Sequence, residues 1–154
     1  MSNQATAPGL TTSGTIALAS DHAGYALKQE IKSFLESAGH PVLDLGAHST
    51  ESVDYPDFAS AMADAVRTGG ASRGVLICGT GIGISIAANR HPGIRAALCH
   101  DVTSARLSRQ HNDANVLALG ARMVGAEVAK DCVATFLATP FEGGRHQRRV
   151  EKLG

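Results

Sequence analysis

The chain has 154 residues, 44% hydrophobic and only 4% aromatic, enough for one domain that buries about two-thirds of its unfolded surface without metals or disulfide staples. Fourteen Lys and Arg offset fourteen Asp and Glu, which removes the broad basic field of a nucleic-acid binder, and no apolar run approaches the roughly 20 residues of a membrane span. Cys78, Cys99 and Cys132 form neither a paired framework nor a CxxC motif, and nothing reads as a secretory leader, so reduced thiols and a cytoplasmic setting are expected.

Residues 1–15 are small, polar and aperiodic and predict a flexible tail, leaving 16–154 as the domain. IALAS, from Ile16, fits a short buried strand. Gly24 to Ala38 then follows helical spacing, with Leu27, Ile31, Phe34, Leu35 and Ala38 inward and Lys28, Glu30, Lys32 and Glu36 outward. Val42 to Gly46 gives a second strand. Pro56 opens a helix whose apolar side carries Phe58, Met62, Ala65 and Val66. Gly74 to Cys78 is a third strand that runs into a glycine-rich turn and a helical segment over Ile84–Asn89.

Ile94 to Cys99 is the fourth strand, and Asp101 or Thr103 is placed to cap the next helix. Asn115 to Leu119 is the fifth. Gly125 to Ala138 predicts a long helix with Val128, Cys132, Val133, Phe136 and Leu137 inward, and a short basic helix follows Gly143 and Gly144. Short apolar strands alternating with amphipathic helices predict an α/β fold, an open, mainly parallel five-stranded sheet with a C-terminal helical extension. In such sheets ligands bind beyond the carboxyl ends of the strands, where Asp21, His22, Cys78, Thr80 and Asp101 fall.

CGTGIGIS, Cys78–Ser85, is the densest local signal. Gly79, Gly81 and Gly83 let the backbone approach a ligand closely, and amides before a helix can hold anionic oxygen. It is neither GxGxxG nor a nucleotide P-loop, and Ile84 occupies the position where a cysteine phosphatase would carry Arg. The plainer alternative is a tight strand-to-helix turn with an inert thiol. Asp21 and His22 end the first strand and offer groups for hydroxyl recognition, or simply a helix cap beside a surface His. His111 can relay a proton near neutrality and Asn112 can orient hydroxyls; a polar helix exit is the other reading. Tyr55 packs against a sugar or secures its loop. Arg145 and Arg149, four residues apart, share a helix face and can clamp a phosphate, with a solvated basic tail as the alternative. Arg122 is a further candidate phosphate contact. No HExxH-like spacing suggests a metal.

Taken together, SDHAG at 20–24, DYPDFA at 54–59, CGTGIGISIAAN at 78–89, SRQHNDANVLALGAR at 108–122 and FEGGRHQRRV at 141–150 resemble the type B ribose-5-phosphate isomerases. These lie within a wider sugar-phosphate isomerase family that includes galactose-6-phosphate isomerase subunits. The resemblance covers nearly everything after the tail. It implies a Rossmann-like three-layer domain, no nicotinamide or other cofactor, no metal, and aldose–ketose interconversion through an enediol or enediolate.

By the same resemblance Cys78 matches the cysteine base of one branch. A second branch carries Glu later in the loop, where this chain has Ser85 and Ile86. Thr80 and the backbone of Gly79, Gly81, Ile82 and Gly83 would hold the enediolate, and His111 matches the ring-opening histidine. Asp21, His22, Tyr55 and Asn112 would position the sugar, and Arg145 and Arg149 match the phosphate clamp. The family commonly shares its site across a homodimer, and homotetramers are compatible with it. Erythrose, allose or galactose phosphates are alternative substrates, and a non-enzymatic phosphosugar sensor is a more distant one. Neither a nucleic-acid nor a membrane partner is expected.

Overall fold

The computed structural model describes residues 14–154, so nearly all of the expected tail lies outside the described residues. Five strands form a single parallel sheet: β1 (Ile16–Ser20), β2 (Val42–Asp44), β3 (Arg73–Cys78), β4 (Ala96–Leu98) and β5 (Val116–Gly120), in the order β2-β1-β3-β5-β4. The connecting helices are α1 (Tyr25–Ser37), α2 (Tyr55–Arg67), α3 (Ile82–Asn89), α4 (Val102–Asn112), α5 (Ala126–Ala138) and the C-terminal α6 (Arg145–Glu151). This is the expected three-layer, Rossmann-like arrangement with its helical extension. Among the described residues no helix is long and apolar enough to cross a membrane.

Alternation along each central strand sorts the core into two layers. Ile16, Leu18, Val75, Ile77, Leu117 and Leu119 pack with α1 and α5. Ala17, Ala19, Leu76, Cys78, Val116 and Ala118 pack with α2 and α3. Both faces are covered, so β1 and β5 are buried along their whole length and read as continuous apolar runs.

Three helix-face expectations are corrected. Val128 is exposed; it sits about 100° around α5 from the buried Ala129, at the edge of the stripe. Ala38 is the exposed C-cap of α1 rather than part of its inner face. Lys28 is fully buried rather than outward. Its Nζ donates to both carboxylate oxygens of Asp44 at 2.7 and 2.8 Å, at the end of β2. β2 and β4 are also shorter than expected, ending at Asp44 and Leu98. Asp44 then turns inward to accept from Gly46 N–H and close the loop.

Burial works to raise the Asp44 pKa, but the hydrogen bonds from Lys28 and Gly46 and the charges of Lys28 and Lys32 outweigh it and hold it below its ordinary value of 3.8. Lys28→Met leaves a largely buried carboxylate with the Gly46 N–H and, as its one remaining cation, Lys32 at 3.4 Å, and should cost about 2–4 kcal/mol in urea unfolding at neutral pH. A depressed folded-state pKa gives stability that is present above the unfolded value and lost as pH falls through the folded one. The difference between wild type and K28M should therefore narrow below about pH 3.8.

Candidate active site

The sheet order changes direction at β1, whose neighbours are β2 on one side and β3 on the other. At this switch the loops leaving β1 and β3 open a crevice at the strands' carboxyl ends. Asp21 N–H donates to Ile77 O at 3.2 Å, so Asp21 and Cys78 end neighbouring strands as expected. Asp21 is buried, and its Oδ1 accepts from Ala23 and Gly24 N–H at 3.0 and 3.2 Å. The cap reading is thus realised on one oxygen only. Asp21 also lines a cavity of about 490 Å³ with His22, Val53, Asp54, Tyr55, Pro56 and Asp57. His22 Nδ1 accepts from Val53 N–H at 3.2 Å, which puts the ring proton on Nε2 in the neutral form.

The Cys78 loop is built by close approach. Gly81 has φ +78°, and a Cβ there would lie 2.5 Å from Leu98 Cδ1 and 2.9 Å from the Leu119 carbonyl carbon. Only glycine fits that turn. A Cβ on Gly83 would lie 2.6 Å from Cζ of Tyr55, so the half-exposed Tyr55 ring lies directly over the start of α3. Cys78 is buried and its Sγ accepts from Gly81 N–H at 3.2 Å; Ile82 N–H donates to Thr80 Oγ1 at 3.1 Å. Two amides of the expected anion cradle are therefore engaged with the side chains of Cys78 and Thr80. Arg122 brings its guanidinium over Gly79, 3.1 Å from where a Cβ would stand, and the Arg122 backbone N–H donates to Gly79 O at 2.9 Å. Burial pushes the Cys99 thiol up and the Cys132 thiol up to about 11, in line with structural roles.

His111 and Asn112 do not join this group within one chain. Asp101 caps α4 beyond the carboxyl end of β4 by accepting from Ser104 N–H. The eleven-residue helix then runs back and delivers His111 and Asn112 to the strands' amino edge. There Asn115 O accepts from Gly74 N–H at the start of β3. Cys78 closes the other end of that strand, roughly 16 Å away at 3.3 Å per residue. Asp21, His22, Cys78, Thr80 and Asp101 thus follow the carboxyl ends of their strands as expected, while His111, Asn112, Arg145 and Arg149 gather at the opposite edge.

The second group is held by the C-terminal extension. His146 and Val150 form the buried face of α6, and Glu142 N–H donates to Gln110 O at 3.1 Å. The His111 and His146 rings stack with centroids 4.4 Å apart and planes 16° from parallel. Arg149 lines a cavity of about 290 Å³ with His111, Asn112, His146, Val150 and Leu153. Arg145 lies one turn earlier on α6, exposed like Arg149. Burial lowers the His146 pKa, with the charges of His111, Arg145 and Arg149 acting in the same direction against Glu142.

Sequence reasoning missed two residues that position this group. Arg109 is buried and binds Thr139 O through Nε, and Asp113 Oδ1 and Ala114 O through Nη1. It ties the end of α4 to the chain entering the extension. His146 was hidden among the arginines of RHQRR; its spacing of four residues from the apolar Val150, which together make the inward face of α6, was the available signal.

Two half-sites emerge. One is a thiol in a glycine turn beside a carboxylate and polar side chains, and the other pairs an imidazole and an amide with guanidinium groups. Together they carry what a proton-shifting enzyme for a small anionic polyol needs. The ribose/galactose isomerase family model matches residues 16–153. Ribose-5-phosphate isomerase B of Escherichia coli is 54% identical over 138 residues, covering 90% of this chain and 93% of that protein. D-erythrulose-4-phosphate isomerase of Pectobacterium atrosepticum is 45% identical, covering 91% and 93%. The solved ribose-5-phosphate isomerase B of Clostridium thermocellum superposes with a TM-score of 0.90 at 57% identity, covering 91% and 95%. The chain belongs to the ribose/galactose isomerase family, and it is an isomerase.

Proposed function

We propose that this chain interconverts D-ribose 5-phosphate and D-ribulose 5-phosphate, with Cys78 as the base that moves the carbon-bound proton. The observation that carries the reading is the placement of Cys78. Its sulfur ends a central strand inside a glycine turn, next to Asp21 and under a donor N–H. Similarity to the Escherichia coli and Clostridium thermocellum ribose-5-phosphate isomerases B supports the substrate.

The sugar first opens: the C1–O4 bond breaks, O4 gains a proton and the C1 hydroxyl loses one. His111 is the proton carrier for this step, and Asn112 orients the open chain. The Cys78 thiolate then removes the proton from C2, giving an enediolate whose oxygen is held by Thr80 and by amides of the Gly79–Gly83 turn other than those of Gly81 and Ile82, which Cys78 and Thr80 engage. The same sulfur returns the proton to C1, while the hydroxyl proton passes from O2 to O1. Asp21, His22 and Tyr55 position the hydroxyls. Arg145 and Arg149 hold the phosphate, and Arg122 adds a cation on the Cys78 side.

This reading requires two chains. Cys78 and His111 stand at opposite ends of the sheet, so one substrate reaches both only where two copies meet. A homodimer provides that, and a pair of dimers would preserve it. Ile82 and Ile86, each about half exposed on α3 beside Tyr55, supply an apolar surface at the rim of the Cys78 half-site for the second copy to cover.

The erythrulose phosphate isomerase at 45% identity keeps a shorter sugar as the second reading. A panel of four-, five- and six-carbon aldose phosphates, with products identified directly, decides. The proposal expects the highest kcat/KM on ribose 5-phosphate. A clear preference for erythrose or a hexose phosphate reassigns the substrate, and binding without turnover leaves a sensor.

A further inference from the structure

Beside His111 stand two further donors, Glu142 and His146, to which the proposed isomerisation gives no role. Glu142 stands 3.8 Å from His146 Nε2, and one ligand atom each of His111, Glu142 and His146 lie within 4.8 Å of one another. We propose that these three side chains form a binding site for a first-row divalent metal, best suited to Zn²⁺, and that its occupation withdraws His111 from the reaction.

Two imidazoles and a carboxylate are the ligand types zinc takes when it keeps a fourth position open. Around a tetrahedral zinc the ligand atoms stand roughly 3.4 Å apart, given bonds of about 2.0–2.2 Å, so the cluster must contract. Glu142 is exposed, ahead of α6 and next to Gly143 and Gly144, and is free to swing in. A metal lies in the plane of each imidazole it binds, and the two planes are now nearly parallel and stacked. Binding therefore turns one ring out of the stack. His111 has the room, because it faces the cavity of about 290 Å³. His146 is buried and stays in place on α6 as the fixed ligand. Arg145 and Arg149 disfavour a bare dication there but favour one that carries an anion in its open position.

The consequence for catalysis rests on the role of His111 in ring opening. A metallated imidazole cannot carry a proton, so the metal acts as a reversible inhibitor rather than as a cofactor.

Binding is tested without turnover, by calorimetric titration of Zn²⁺ into the C78A chain, which removes the competing thiol. One zinc per chain is expected, with affinity falling roughly tenfold or more in C78A/E142Q and C78A/H146Q. No binding at 1 mM zinc (about the weak limit of specific association), or affinity unchanged by either substitution, overturns the site. In the chain with Cys78 intact, E142Q should isomerise normally yet lose most of its zinc sensitivity, and a chelator should restore zinc-treated wild type. Inhibition of equal strength in E142Q and wild type overturns the inhibitory assignment. Absence of isomerisation in untreated wild type would instead strike the catalytic reading and leave the calorimetric result standing.

Discussion

Cys78→Ala should lower ribose 5-phosphate turnover by about two to four powers of ten, the usual contribution of a positioned general base, while phosphosugar binding largely persists. The side chain is small and the change removes a single sulfur from a buried pocket beside a glycine turn. The Gly81 turn is fixed by its positive φ and by Leu98 and Leu119, so the backbone has independent reasons to stay in place. Circular dichroism and the unfolding midpoint should remain close to those of wild type, and a binding titration with substrate should return nearly the same affinity. Near-normal turnover in folded C78A would remove Cys78 from the chemistry and turn attention to Asp21, the buried carboxylate on the neighbouring strand.

His111→Ala should impair cyclic ribose phosphate more than an open-chain substrate with the same phosphate and reacting carbons. The reason is chemical. An open-chain aldose enters at the enediolate step, which the Cys78 half-site performs, and bypasses the only step assigned to the imidazole. The stack with His146 means that the substitution also removes a packing partner of α6. A purely structural disturbance of the extension would displace Arg149 and reduce both substrates alike. Steady-state kinetics on the two substrates therefore separates proton transfer from positioning, and equal fractional losses would count against ring opening by His111.

Much of this arrangement was legible in the sequence because its causes are local. Buried strands such as IALAS and VLALG announce themselves as apolar runs between turn residues, and Asp101 before a polar helix is a recognisable cap. The Cys78 loop was readable for the same reason: its glycines, thiol and following helix are contiguous. Lys28 failed because its burial depends on Asp44, sixteen residues away, and no periodicity reports a cross-layer ion pair. The helix-phase error at Val128 came from a stripe edge, where a small turn of the helix changes exposure. The separation of Cys78 from His111 was missed because strand order and helix direction, not spacing, decide which end of a sheet a residue reaches. The Glu142–His146–His111 cluster joins a helix end to an extension some thirty residues later, through Gln110 and Glu142, so ligand-spacing rules had nothing to register.

The most direct test of the account is a mixed dimer of two inactive chains, C78A and R149A. Each pure variant assembles sites that lack either the sulfur or the guanidinium. In a mixed dimer one of the two sites receives Cys78 from one chain and Arg149 from the other, and the second site lacks both. Co-expression with different affinity tags, followed by isolation of the doubly tagged species, yields the sample, and the readout is turnover of ribose 5-phosphate per dimer. A site shared between chains predicts recovery of up to about half of wild-type activity, since one site of the two is whole. Verified mixed dimers that bind substrate yet turn over no faster than the pure variants would contradict it, and would require Cys78 and Arg149 to meet within a single chain.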